Sequence, residues 1–459
     1  MEATARSEVG ASRRGPGAGL VAWLGAVATL VAAPHVAVAD WEMPSGFLPC
    51  LGGVLHATPD GGTLVWVGLD GASRTVHTLD RGDVWALDGL DAGACSPDGR
   101  WAVLLAGLYR GRPLRLFQVT AAGAVELTAP AGYGFDTGPF VLHDTELVLS
   151  GRTDKGDRAI LWGDVGAAGG AAPPRVARAA GSAASPLAGR PFVALSYFAA
   201  LALARTPAGT VRFVYVPLGE TVALCELGPG GEFLADRYYW SRGVDAAELS
   251  PDGATVAVIE RHDGAIVALP VIDPPPGLPG SAPARVDTGA VPLFPRGRWS
   301  GLRFSADGRR VAAFEERPGA KPVTRLHVAE DLRALPGPVS FAGSADNVAV
   351  DPALRVLATA ATGAPGSRGW VDILAVPGGK RLRRLTGLPP TVPARDAMAF
   401  SPDGATLFFT RTIVARAPSG AAGAHHVTQD LWAVPVKGGA PRRLARILDR
   451  DEPPVPGDK

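Results

Sequence analysis

A ring of four-stranded blades, a β-propeller, is the fold this sequence predicts, and three observations predict it. A Ser-Pro-Asp-Gly turn between short apolar runs recurs along the chain. Each recurrence is followed by two more strand-like runs. Glycine (59) and proline (42) are abundant enough to close many tight turns. The clearest copy is "AFSPDGATLFFTR", Ala399 to Arg411. Pro402 presets φ for the first central position of a β-turn, Asp403 bonds back to nearby backbone, and Gly404 accepts the positive φ that closes the turn. Ala397 to Phe400 before it and Thr406 to Thr410 after it read as strands, the second rich in β-branched and aromatic residues. The motif is a hairpin signal.

In chain order, the first feature is an address label. Arg13 and Arg14 precede the uncharged apolar run Gly17 to Ala33, and Ala37-Val38-Ala39 supplies the small-x-small pattern of a signal-peptidase site. Residues 1–39 are therefore expected to be a cleaved signal peptide, and the mature chain to be periplasmic or secreted. The rival is an uncleaved anchor, but the run falls short of a comfortable span and Pro34 follows it. Ser12-Arg13-Arg14 leaves both the general and the twin-arginine export routes open. No second run is long enough to span a bilayer. The leader carries three basic and two acidic residues, leaving 42 of each sign in the remainder. A chain so balanced has no electrostatic reason to seek nucleic acid or an anionic membrane.

Three cysteines, Cys50, Cys95 and Cys225, are too few for a disulfide-built scaffold. Cys95 directly precedes Ser96-Pro97-Asp98-Gly99, where other copies carry Phe or Leu, so it reads as a small buried apolar residue. An oxidising compartment also permits one disulfide, and Cys50 with Cys95 is the pair chosen because both lie near the first two hairpins. No pair has zinc-ligand spacing.

The repeat carries the organisation. "ATPDGGTLVWV" starts at Ala57, "CSPDGRWAVLLA" at Cys95, "LSPDGATVAVIE" at Leu249 and "FSADGRRVAAFE" at Phe304, with a degraded copy, "VDPALRVLATA", at Val350. The turn residues Asp60-Gly61, Asp98-Gly99, Asp252-Gly253, Asp307-Gly308 and Asp403-Gly404, together with Asp351, form the series. Neighbouring aspartates are 38, 55, 44 and 52 residues apart, with one gap of 154 holding two weaker candidates, from Val141 and from Val193. Third strands such as "PLRLFQV", "WVDILAV" and "DLWAVPV" follow, and fourth strands such as "GGKRLRRLTG". Such a unit cannot bury both its faces alone, so units stack around an axis. Eight blades are expected within residues 40–449, at 54–88, 93–129, 140–178, 192–227, 245–289, 300–343, 346–387 and 397–446. Seven is the alternative, because 192–227 lacks a Pro-Asp-Gly turn. Gly-, Ala- and Pro-rich connectors such as "DPPPGLPGSAP" read as surface loops, and residues 450–459 as a disordered tail.

Ser401-Pro402-Asp403-Gly404, then "ATLFFT", then "DLWAVPVKGGAPRRL", resembles the WD-like repeat of the TolB family and of the propellers that accompany prolyl-oligopeptidase-type peptidases. The resemblance covers nearly all of the expected mature chain, most strongly at Asp252, Asp307 and Asp403. It implies a propeller and, for function, a binding or scaffolding role toward a protein or peptide of the cell envelope. The chain departs from TolB in showing no separate α/β segment before the first repeat.

Catalytic motifs are sparse. No Gly-x-Ser-x-Gly elbow occurs, nor His-Glu-x-x-His, a Walker loop or a Rossmann glycine fingerprint, and the short stretch after the last repeat holds no hydrolase domain. His425-His426 is the one histidine pair, and adjacent residues on a strand point to opposite faces, which disfavours a shared metal. The turn aspartates recur where Asp stabilises a turn and lack a calcium-loop pattern. No catalytic residue, metal or cofactor is assigned. A propeller enzyme, a lyase, lactonase or quinone-type dehydrogenase, is the alternative, since each blade would contribute only one residue to a channel site.

"LADRYYWSRG", Leu234 to Gly243, stands apart from the repeat. Arg237, Tyr238, Tyr239, Trp240 and Arg242 are the residue types that dominate interface hot spots. The stretch is expected in a connector between blades, and is the candidate binding segment; the competing reading is an extra strand. The chain is expected to act as a monomer.

Overall fold

The computed structural model describes residues 46–80, 83–85, 93–107, 114–135, 141–143, 146–153, 158–164, 175–179, 200–218, 221–228, 233–240, 244–260, 264–271, 290–317, 323–342, 348–361, 369–389, 397–416 and 425–452. Every regular element among them is a strand. The strands form eight antiparallel meanders, each built from one continuous stretch of chain. Their inner strands run Phe47–Cys50, Gly93–Cys95, Val141–His143, Ala200–Arg205, Val244–Leu249, Trp299–Phe304, Val348–Val350 and Met398–Phe400. In blade 3, Tyr133–Phe135 also pairs Glu146–Thr153, at the end away from Val141–His143. In blade 6 the outermost strand is split into Arg333–Ala334 and Val339–Ala342. The structure thus has eight blades.

Each pair of neighbouring blades shares one apolar seam. Alternation along single strands builds these seams: Ala102, Leu104 and Ala106 pack on Leu48, Leu55 and Leu64 of blade 1, while Val103 and Leu105 pack on Leu147 and Leu149 of blade 3. With a strand period of two, each strand serves both neighbours. The last seam closes the ring, setting Phe47, Val54 and Val67 of blade 1 against Ala399, Phe408 and Leu431 of blade 8. Polar clasps reinforce this seam and the one before it at the outer edge. Arg383 of blade 7 donates to the carbonyls of Pro435 (2.9 Å) and Gly439 in blade 8. Arg442 of blade 8 donates to those of Leu69 (3.1 Å) and Asp70 in blade 1.

Four details depart from the sequence expectation. Blade 1 begins at Phe47, because "FLPC" serves as its inner strand and turns at Leu51-Gly52 into Gly53–Ala57. Pro49 masked this strand, yet proline is tolerated at an edge facing the axis. The Asp60 turn consequently joins the second and third strands of its blade, whereas the turns at Asp98, Asp252, Asp307 and Asp403 join the first and second. Asp351 occupies the serine position of its turn: its Oδ1 accepts from the N–H of Arg355 (2.7 Å) and Val356 (2.6 Å), and Leu354 takes the glycine position with φ +52°. In blade 4, Thr206-Pro207-Ala208-Gly209 replaces Ser-Pro-Asp-Gly, keeping the backbone bonds and the positive φ (+82°) without the carboxylate. At the C-terminal end, the strand Arg442–Glu452 runs three residues into the expected tail, pairing Arg450, Asp451 and Glu452 with Val427, His426 and His425. Residues 1–39 and 453–459 lie outside the described residues.

Cys50 and Cys95, at the ends of the first two inner strands, are joined in a disulfide spanning 45 residues; Cys225 is buried and outside any disulfide. Closing a loop of that length stabilises by about 2–4 kcal/mol. The Cys50→Ser/Cys95→Ser double variant should therefore lose about that much in denaturant melts, and dithiothreitol should no longer shift its midpoint. Because Asp351 does the work of the serine, Asp351→Ser should change stability by less than about 1 kcal/mol, whereas Asp351→Ala should cost about 1–3 kcal/mol by stranding two N–H donors. Equal losses in both variants would show that the turn does not depend on this acceptor.

Candidate functional site

The repeated turns are closed units. In each, a serine or threonine hydroxyl donates to the aspartate, at 2.5–2.7 Å, and the aspartate Oδ1 accepts from the N–H two residues on, as from Arg100 (3.0 Å), Ala254 (3.0 Å), Arg309 (3.1 Å) and Ala405 (2.9 Å). Gly61, Gly99, Gly253, Gly308 and Gly404 have φ between +67° and +74°, where a side chain would be strained. The hydroxyls of Thr58, Ser305 and Ser401 hold the Asp60, Asp307 and Asp403 carboxyls below the usual range, followed by backbone N–H donation. These carboxylates are engaged within their own turns.

Neighbouring turns also bond to each other around the axis. The Leu51 N–H donates to Gly99 O (2.8 Å), and the Ala306 N–H to Pro352 O (2.9 Å). Two arginines span blades in the same manner. Arg212, paired with Glu226 (2.7 Å), donates to Gly253 O (2.9 Å); Arg310, paired with Glu330 (3.2 Å), donates to Leu354 O (3.2 Å). The result is a fixed collar at one end of the axis.

Inside the collar lies a cavity of about 370 Å³, lined by residues from seven of the blades. Pro97, Pro251, Pro352 and Pro402 supply the turn end of its wall, and Leu203, Leu249, Phe304 and Phe400 apolar surface beneath. Two charged side chains join them, Glu248 and Arg303. Their placement follows from the repeat. Counting back two residues from the hydroxyl or carboxylate that anchors each turn gives Ala94, Ala204, Ala349 and Ala399 in blades 2, 4, 7 and 8, but Glu248 in blade 5 and Arg303 in blade 6. The repeat sets a small residue at this position and departs from it in two adjacent blades, with opposite charges.

Glu248 is surrounded by protein, and the solvent it reaches is the space of the cavity. Burial pushes its carboxyl up to about 8, against the pull of the Arg303 charge. No hydrogen bond or ion pair closes Glu248 onto Arg303. The two act on one another through charge while both face the cavity. Sequence reading missed this pair; aligning the blades on their turns would have exposed it.

The candidate segment at Leu234 belongs to a strand. Phe233–Trp240 is the outermost strand of blade 4, pairing Arg237, Tyr238, Tyr239 and Trp240 with Leu224, Ala223, Val222 and Thr221. It is therefore an outer blade edge and not a connector, and Leu234 on it is exposed. Arg242 lies outside the described residues. His425 and His426 sit on the long strand His425–Pro435, where His426 Nε2 meets Asp449 Oδ1 at 3.1 Å. Among the described residues no group of three or more His, Cys, Asp or Glu is placed to hold a metal ion.

Comparison with protein-family models finds no match, and comparison with curated proteins finds none either. Solved structures similar to this chain include TolB from Acinetobacter baumannii, with TM-score 0.37 and 12% identity over 73% of this chain and 63% of that one. Prolyl oligopeptidase B from Galerina marginata gives TM-score 0.46 and 9% identity over 91% and 60%. The Dos1 propeller gives TM-score 0.44 and 9% identity over 90% and 89%. The chain spans less than two thirds of the first two proteins. The propeller architecture and its Pro-Asp-Gly turns agree with the repeat resemblance read from the sequence.

The raised carboxyl of Glu248 has a defined consequence for stability. A folded-state value near 8 against an ordinary 4.5 means that the stabilising contribution of the protonated form is full below about pH 4.5 and is lost as pH rises through 8. Glu248→Gln keeps the shape and removes the titration. The variant should therefore gain in melting temperature relative to the unaltered protein between pH 5 and pH 9. Parallel melting curves across that range would show that the carboxyl is not enclosed.

Proposed function

We propose that this chain is an exported binding module of the cell envelope, holding a protein or peptide partner and working by recognition, without making or breaking bonds. The observation that carries this reading is the wall of the axial cavity. One carboxyl and one guanidinium are set in a frame of proline, leucine, phenylalanine and alanine, a composition that discriminates charge and shape. Export is supported by the leader pattern and by the Cys50–Cys95 disulfide, which persists in an oxidising compartment. No helix among the described residues is long and apolar enough to cross a membrane. The second contact is the outer edge of blade 4. Phe233–Trp240 is eight residues long, and its Arg237, Tyr238, Tyr239 and Trp240, with Arg242 beyond it, are the anchor types of protein interfaces.

One observation favours the enzymatic alternative. A carboxyl raised to about 8 and enclosed beside an arginine is also what a general acid or base requires. For a lactonase or lyase, Glu248 would be the proton carrier and Arg303 the stabiliser of developing negative charge.

Two assays decide between them. The immobilised protein, and its Tyr239→Ala/Trp240→Ala variant, are exposed to envelope extract and the bound proteins identified by mass spectrometry. A partner retained by the unaltered protein and reduced at least about tenfold by the variant, as interface anchors lose on truncation, is expected. A panel of lactones tests the alternative. Turnover abolished by Glu248→Gln would replace recognition with catalysis, and equal retention of every protein by both forms would remove the blade 4 contact.

A further inference from the structure

The two charged residues of the axial cavity come from equivalent positions of adjacent blades, face the same space, and are not joined to each other by a hydrogen bond or ion pair. A ligand carrying only a positive charge would gain at Glu248 and be opposed by Arg303; one carrying only a negative charge would meet the converse. A molecule bearing an ammonium and a carboxylate close together satisfies both. The guanidinium has five N–H donors, so Arg303 can keep its contacts within the protein and still receive a carboxylate. Glu248 accepts no hydrogen bond among the described residues. Burial keeps its carboxyl protonated, and an arriving ammonium favours release of that proton to solvent, after which the carboxylate offers it four lone-pair sites.

Size and polarity of the remaining wall narrow the class. About 370 Å³ lies at the small end of ligand cavities, and Leu203, Leu249, Phe304 and Phe400 leave an apolar remainder to fill. We infer that the axial cavity binds a free α-amino acid with an apolar side chain. The ammonium pairs with Glu248, the carboxylate with Arg303, and the side chain lies against the leucines and phenylalanines beneath the proline collar. Ala94, at the corresponding position of blade 2, lines the same cavity and leaves room that a longer side chain would fill.

This inference rests on reading the cavity as a recognition pocket, and its test is separable from partner capture, which is scored at Tyr239 and Trp240. Titration calorimetry of the full chain with L-leucine, L-leucinamide and N-acetyl-L-leucine compares the zwitterion with ligands bearing either charge alone. L-leucine should bind, and each single-charge analogue should bind at least about tenfold more weakly, the effect of losing one charged hydrogen-bonding group. Glu248→Gln should weaken leucine similarly while N-acetyl-L-leucine binds as well or better, and Arg303→Gln should weaken leucine while leucinamide binds as well or better. The analogue series on the unaltered protein stands even where a variant fails to fold. No heat with leucine at 10-millimolar scale, or leucinamide binding as tightly as leucine, overturns the inference. Leucine binding without any retained partner would uphold it and remove the partner reading; the reverse would do the opposite.

Discussion

The structure depends on the apolar seam between blades. A single four-stranded meander has two faces and can bury neither by itself. Here each face is buried by a neighbour, and the chain needs eight such seams to leave none open. The seam between blades 8 and 1 is the decisive one. Phe47 and Val54 must find Phe408 and Leu431 across most of the length of the chain, so the contact has high loop-closure cost and forms only once the intervening blades are in place. Each blade is one continuous stretch of chain, and among the described residues no strand is exchanged between the first and last blades to hold the ring shut. Packing does that, with Arg442 reaching back to Leu69 and Asp70.

Given the seams, the turns acquire a second duty. They terminate strands locally, through Ser-to-Asp bonds that need nothing from outside the turn, and they also bond one blade to the next. Arg212 and Arg310 show how: each is held by a cross-strand glutamate, Glu226 or Glu330, and its remaining donors reach a backbone carbonyl at the glycine position of the following turn. A buried arginine without its glutamate would be costly, so the pair and the inter-blade bond stand or fall together. The collar is consequently stiff, and a stiff rim suits a binding cavity because little ordering remains to be done when a ligand arrives.

How much of this was legible in the sequence depended on whether a feature repeated. Ser401-Pro402-Asp403-Gly404 and its copies revealed the hairpins because the same chemistry solves the same local problem each time. Blade 4 was harder to read, since Ala208 removes the carboxylate and only the threonine hydroxyl and Gly209 keep the turn. The first inner strand was hidden by Pro49, and the outermost strand of blade 4 by its aromatic and arginine content, which reads equally as loop or edge. Asp351 was legible as a turn residue but assigned to the wrong place in it, because aspartate can serve either as the acceptor at the first position or as the partner two residues later. Glu248 and Arg303 were invisible to motif searching, being single residues 55 apart that meet only when the ring is built.

The position of Glu248 is itself an argument about selection between stability and use. An alanine there, as in blades 2, 4, 7 and 8, would avoid the desolvation that lifts its carboxyl to about 8. Seam residues could not bear such a change, since Ala246 and Ala257 beside it are packed against blade 6. Glu248 and Arg303 can, because both line the axial cavity. A propeller therefore offers a few sites where a charge is tolerated without breaking the ring, and they lie around one axis. Placing a carboxyl and a guanidinium in adjacent copies of that site concentrates opposite charges in the one region where the repeat is free to vary. The local inconsistency with the repeat is, on physical grounds, the mark of a site.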